Sequence, residues 1–130
     1  MKLLLDTHVW IWALLRPDEL SAGVAQDLED PGNELWLSPV SVWEALILAE
    51  RGRIQLDAPA QVWVEEALRD FPLRDATVTR TVAMASRTVD LPHQDPADRF
   101  IAASALVYDL VLITRDERLL SSSGWRVSRA

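Results

Sequence analysis

The chain contains no cysteine, which excludes disulfides, thiolate metal sites and cysteine nucleophiles before any motif is read. Lys2 is its only lysine, so arginine supplies nearly all of its basic charge, and histidine occurs twice, at His8 and His93. Basic charge is scarce overall: 13 Lys and Arg against 20 Asp and Glu leave a formal net charge of -7. That balance argues against a protein that grips nucleic acid with a broad basic surface. Any polynucleotide has to be held locally, and Arg99, Arg115 and Arg118 carry guanidinium groups suited to phosphate, while most arginines belong on a solvated face. Long apolar runs are missing too. Leu3 to Leu5 is broken at once by Asp6 and His8, so neither a secretory leader nor a membrane span of about 20 residues fits there. A cytoplasmic protein without membrane contact is expected.

The 130 residues, 49% of them apolar and 25% charged, suit one ordered domain spanning 1–130. Leu3–Leu5 and Leu110–Thr114 read as buried strands, with shorter ones over Glu34–Leu37, Leu73–Val78 and Trp125–Val127. Helices are predicted over Thr7–Leu15, Ser21–Leu28, Ser38–Arg51, Ala60–Phe71, Arg80–Thr88, Asp95–Tyr108 and Asp116–Leu120. Ser38-Pro39 and Asp95-Pro96 each supply an N-cap followed by proline at the first helical position. Ser121–Ser123 with Gly124 reads as a loop. Strands alternating with helices predict an α/β/α sandwich around a central, mostly parallel sheet of four to five strands.

In open parallel sheets, ligands bind outside the carboxyl ends of the strands. Acidic residues stand there: Asp6 directly after the first strand, Asp116 two residues beyond Thr114, and Asp98 in the first turn of the helix that Asp95 opens. Glu44 lies in the Ser38 helix among Val40, Val42, Trp43, Ala45, Leu46, Ile47 and Leu48, and is the only charge between Glu34 and Glu50. Burying an unpaired carboxylate is costly, so Glu44 requires a cation, a strong hydrogen-bond partner or a wet cleft. Four carboxylates in one cleft repel by roughly 1–4 kcal/mol per close pair unless a cation lies between them. Oxygen donors without cysteine favour magnesium or manganese over zinc, and such ions support phosphodiester hydrolysis.

Each acid also has a plainer explanation. Asp6, Asp95 and Asp116 are all suited to capping the helices that follow them. His8 and His93 suit hydrogen-bonded structural roles. The six tryptophans belong mostly to the core, although Trp10 and Trp12, on one short helix, could form part of an interface.

Leu-Leu-Leu-Asp-Thr-His-Val-Trp at 3–10, Ser-Val-Trp-Glu at 41–44, His-Gln-Asp-Pro-Ala-Asp-Arg-Phe-Ile-Ala-Ala at 93–103 and Leu-Ile-Thr-Arg-Asp at 112–116 resemble the PIN-domain family. More narrowly they resemble the VapC-like toxin ribonucleases of type II toxin–antitoxin systems, over essentially the whole chain. The resemblance implies a single PIN domain whose acidic quartet is Asp6, Glu44, Asp98 and Asp116, with Asp6 and Asp98 as principal magnesium ligands and Thr114 in support. It also implies an RNA substrate, a homodimer and a hetero-oligomer with a cognate antitoxin that obstructs the cleft. Ala97 stands where relatives often carry a bulky apolar residue, and Asp109 and Glu117, though close to the motifs, receive no role. A phosphoacceptor signalling domain would need a lysine after its last strand, where this chain has none. A catalytically silent PIN-fold binding protein would have no reason to keep Glu44 in an apolar helix.

Overall fold

The computed structural model describes residues 1–121 and 124–130, so the loop expected at Ser122 and Ser123 lies outside the described residues. The chain runs β1 (Lys2–Leu5), α1 (Thr7–Leu15), a 3₁₀ turn (Pro17–Glu19), α2 (Ala22–Glu29), β2 (Glu34–Leu37), α3 (Pro39–Glu50) and α4 (Ala60–Asp70). It continues through β3 (Arg74–Asp75), α5 (Arg80–Ala85), α6 (Pro96–Val107), β4 (Val111–Thr114), α7 (Glu117–Leu120) and β5 (Arg126–Arg129). The sheet order is β3-β2-β1-β4-β5, and every pairing is parallel. Among the described residues no helix is long and apolar enough to cross a membrane.

Strand periodicity explains the two cores. Side chains alternate across a sheet, and the apolar run of β1 therefore feeds both faces. Leu3 and Leu5 enter a cluster with Val9, Trp10 and Ile11 of α1, Ala45 of α3 and Val64 of α4. Leu4 enters the opposite cluster with Val82 of α5, Ile101 and Ala102 of α6 and Leu112 of β4. Trp10 is fully buried, so it takes no part in the interface suggested for it together with Trp12.

Two elements are shorter than the sequence suggests. Both residues of β3 are exposed and it ends at Asp75, because only Trp36 and Leu37 of β2 reach across to it. Helix α5 stops at Ala85 instead of Thr88: the Ser86 hydroxyl donates to the Ala83 carbonyl at 2.6 Å, and the Ser86 carbonyl accepts instead from Arg99 Nε at 2.8 Å. Side-chain bonds of this kind compete with helix propagation.

The strand order fixes where a site forms. From β1 the chain moves outward to β2 and β3, then returns to the other side of β1 as β4 and β5. The carboxyl ends of β1 and β4 therefore flank the topological switch point, where parallel sheets open a crevice.

Candidate functional site

Asp6 is the first residue beyond β1, and its backbone N–H donates to the Ile113 carbonyl of β4 at 3.0 Å. Its carboxylate caps α1, with Oδ1 accepting from Thr7 N at 2.8 Å, while Oδ2 accepts from the Thr114 hydroxyl at 2.7 Å. That hydroxyl in turn accepts from Asp116 N at 3.0 Å, so one threonine at the end of β4 orients the carboxylate of Asp6 and fixes the backbone of Asp116. Asp116 caps α7, accepting from Arg118 N at 2.9 Å. Asp95 caps α6, accepting from Asp98 N at 3.2 Å. Capping and presentation at the cleft are thus one arrangement. The backbone N–H groups that need acceptors fix the carboxylates at the sheet edge.

Glu44 reaches the same place from α3. Its Oε1 accepts a short hydrogen bond from Thr7 Oγ1, which also lies 2.8 Å from Ser41 Oγ. Thr7 and Ser41 were not singled out in the sequence. Their one visible signal is spacing, since Ser41 stands one turn before Glu44 and faces the same way.

Asp6, Glu44, Asp98 and Asp116 line one cleft of about 410 Å³, together with Asp95 and Arg118. Burial, against the bonds from Thr114 and Thr7, raises the Asp6 carboxyl above its ordinary range. Burial likewise raises Glu44, opposed by the Thr7 hydrogen bond and reinforced by the Asp6 and Asp95 charges. Asp98 is pushed up to about 7, first by burial and then by Asp95, Asp6 and Asp116. Asp116 moves the other way, held low by its hydrogen bond from Arg118.

Arg118 and Arg115 both line this cleft, and Arg118 is the one paired with the acids. Its guanidinium lies 3.2 Å from Asp98 Oδ2 and 2.9 Å from Asp116 Oδ2, bridging the two acids. His93 Nδ1 accepts from Asp95 N at 3.3 Å, which leaves Nε2 facing Asp98 Oδ2 at 3.7 Å. Arg99, adjacent to Asp98 in sequence, points away from it: its guanidinium is buried against backbone carbonyls and is withdrawn from any phosphate. Asp109 and Glu117 also lie elsewhere. Asp109 forms the left-handed turn into β4 at φ 55° and bonds Arg126, while Glu117 pairs with Arg129 at 2.7 Å.

Whether this donor set suits a divalent cation can be judged from its chemistry. Among the described residues no three acidic or imidazole side chains close into a ready cage. The donors are nevertheless all hard oxygens, three of the four acids are raised toward protonation, and a guanidinium already bridges Asp98 and Asp116. Such a site gains from a compact positive charge, and magnesium or manganese fits it.

Comparison with known proteins gives concordant results. The PIN domain family model matches residues 3–122. Ribonuclease VapC22 of Mycobacterium tuberculosis is 37% identical over 121 residues, covering 91% of this chain and 89% of that protein. The fold is similar to VapBC2 from Rickettsia felis bound to a DNA fragment from its promoter, with a TM-score of 0.72 at 14% identity over 100% of this chain and 99% of that one. It is also similar to DNA-bound VapBC from Salmonella typhimurium, with a TM-score of 0.68 at 19% identity over 99% and 98% of the two chains.

Proposed function

The chain belongs to the PIN-domain family, and from that premise we propose that it is a magnesium-dependent endoribonuclease, the toxin of a toxin–antitoxin pair. The observation that carries this reading is the convergence of Asp6, Glu44, Asp98 and Asp116 on one cleft at the switch point of the sheet. The 37% identity to a protein named a ribonuclease supports RNA as substrate. Likeness to toxin–antitoxin complexes supports a protein partner that covers the cleft, and the proposed assembly is a homodimer bound to that antitoxin.

In this mechanism the four acids would hold magnesium, which when bound polarises the phosphodiester and acidifies an attacking water. Thr114 orients the Asp6 carboxylate with one hydrogen bond and fixes the backbone of Asp116 with the other. Thr7 orients the Glu44 carboxylate. Glu44 keeps Oε2, the oxygen that does not accept from Thr7, as its share of the donor set that would hold the ion. Asp98, with its proton affinity near neutral, makes the charge of the cleft sensitive to pH between about 6 and 8.

The reading predicts cleavage of RNA in magnesium or manganese, arrest by EDTA, and loss of cleavage in Asp6→Asn with the fold intact by circular dichroism. Undiminished cleavage in excess chelator would remove the metal from the mechanism. Co-expression with the neighbouring gene should suppress toxicity, and harmless expression of this chain alone would remove the toxin assignment.

Arg118 supplies a prediction of its own. Its guanidinium competes for Asp98 and Asp116 with any incoming ion. Because that guanidinium is half exposed, the competition is weak. Arg118→Ala should tighten manganese binding to RNA-free protein roughly three-fold by calorimetry. Unchanged or weaker binding would mean that the guanidinium does not occupy the ion's place.

A further inference from the structure

The acidic net charge leaves open how the chain takes hold of a polyanion. A groove of about 620 Å³ runs from the cleft between α1 and the segment after α3, and it shares His8 and Trp12 with the cleft wall. In a chain where acids outnumber bases, the lining of this groove contains Arg16 and Arg53 and no carboxylate. Arg115 lies with its guanidinium 4.4 Å from the Trp12 ring centre, and the His8 ring approaches Trp12 at 5.8 Å with a 50° tilt. Glu19 pairs with both Arg16, at 2.9 Å, and Arg115, at 3.5 Å, and so ties two cations to the rim.

We propose that this groove is a single-strand subsite in which the Trp12 and Arg115 layer stacks an unpaired nucleobase next to the scissile phosphate, while Arg16 and Arg53 meet the adjoining phosphates. The inference rests on the ribonuclease reading and specifies its substrate as unpaired RNA. The physical grounds are general. A base can offer its face to an aromatic ring or a guanidinium plane only when it is splayed from a helix, and such stacking tolerates any base. Phosphate contacts supply affinity without sequence information. Trp12 sits where the groove opens into the acid cleft, so a strand whose phosphodiester enters the cleft lays its neighbouring base on that ring. An apolar protein segment would gain from Ile11 and Leu15, but it would bring no anion to Arg53, which, unlike Arg16 with its Glu19 partner, has no ion pair among the described residues.

The experiment uses the full chain carrying Asp98→Asn and a fluorescent, unstructured RNA hexamer, with an abasic hexamer and a blunt duplex as controls. Trp12→Ala should weaken binding of the intact hexamer about ten-fold by anisotropy, and Trp12→Phe should restore most of it. The abasic probe should bind parent and Trp12→Ala alike, and the duplex should bind weakly to both. In the active chain, Trp12→Ala should raise KM more than it lowers kcat. Equal binding of the intact hexamer by parent and Trp12→Ala would overturn the proposal. So would loss of a co-purifying protein partner with hexamer binding unchanged, which would assign the groove to that partner. If the active chain cleaves no RNA while hexamer binding still depends on Trp12, the subsite stands and the ribonuclease reading falls. Cleavage with Trp12-independent binding gives the reverse.

Discussion

Asp98→Asn is expected to reduce RNA cleavage roughly a thousand-fold, the rate equivalent of several kcal/mol of lost charge stabilisation, and yet to raise the melting temperature of metal-free protein at pH 8. The two effects have one cause. Asp98 is 9% exposed in the first turn of α6 and faces three other carboxylates, which together with burial move its pKa from 3.8 to about 7. A carboxyl with a raised folded pKa binds its proton more tightly in the folded than in the unfolded state. Its contribution therefore falls as pH rises from about 4, and the loss is complete above about 7. Asparagine keeps the shape and carries no charge, so the variant escapes that loss. The Arg118 contact to Asp98 is given up, but Arg118 retains Asp116 at 2.9 Å. In EDTA at pH 8 the variant should melt higher by on the order of 5 °C, with the gap closing toward pH 4.5. Added magnesium should stabilise the parent and not the variant, reversing the order. A variant that melts lower at pH 8, or a gap independent of pH, would show that Asp98 is not held at a cost to stability.

The features legible in the sequence were those with local causes. The Ser38-Pro39 pair and the Asp95-Pro96 pair set helix starts that the structure repeats at α3 and α6. Leu3–Leu5 and Leu110–Thr114, read as buried strands, supply β1 and β4, the paired centre of the sheet. The gathering of the four acids could be inferred because each stands just beyond a strand or within the first turns of a helix. What escaped depended on long-range neighbours. Capping and site roles looked like alternatives for Asp6 and Asp116, yet the Thr114 hydroxyl, 108 residues from Asp6, joins both roles in one network. Trp43 reads like its apolar neighbours in α3 but is 55% exposed, because an apolar helix does not declare which of its faces the sheet will cover. Arg115 and Arg99 look equivalent as arginines beside the motifs. One lies against Trp12 at the groove and the other is enclosed by backbone.

Arg99→Lys is expected to destabilise the fold by about 3–5 kcal/mol, nearly as much as Arg99→Met, although it conserves charge and length. Arg99 is 4% exposed, and its guanidinium donates to four carbonyls: Ser86 at 2.8 Å, Leu91 at 3.1 Å, His93 at 3.0 Å and Val89 at 3.3 Å. The acceptors all lie in the stretch between α5 and α6; Val89 also accepts from Leu91 N at 2.9 Å, while among the described residues the Ser86, Leu91 and His93 carbonyls have Arg99 as their donor. A planar fork of fixed N–H directions can meet acceptors arranged around it; a single ammonium point cannot, and each buried carbonyl left without a donor costs about 1–3 kcal/mol. The same stretch carries His93 and leads into Asp95, so loosening it also releases the wall of the cleft next to Asp98. Urea denaturation at pH 7 measures the loss, and a lysine variant within about 1 kcal/mol of the parent would contradict the role of the fork. The charge is tolerated in the interior because four carbonyl dipoles converge on it in place of water, and an arginine so enclosed is spent on holding α6, and hence Asp98, at the edge of the sheet.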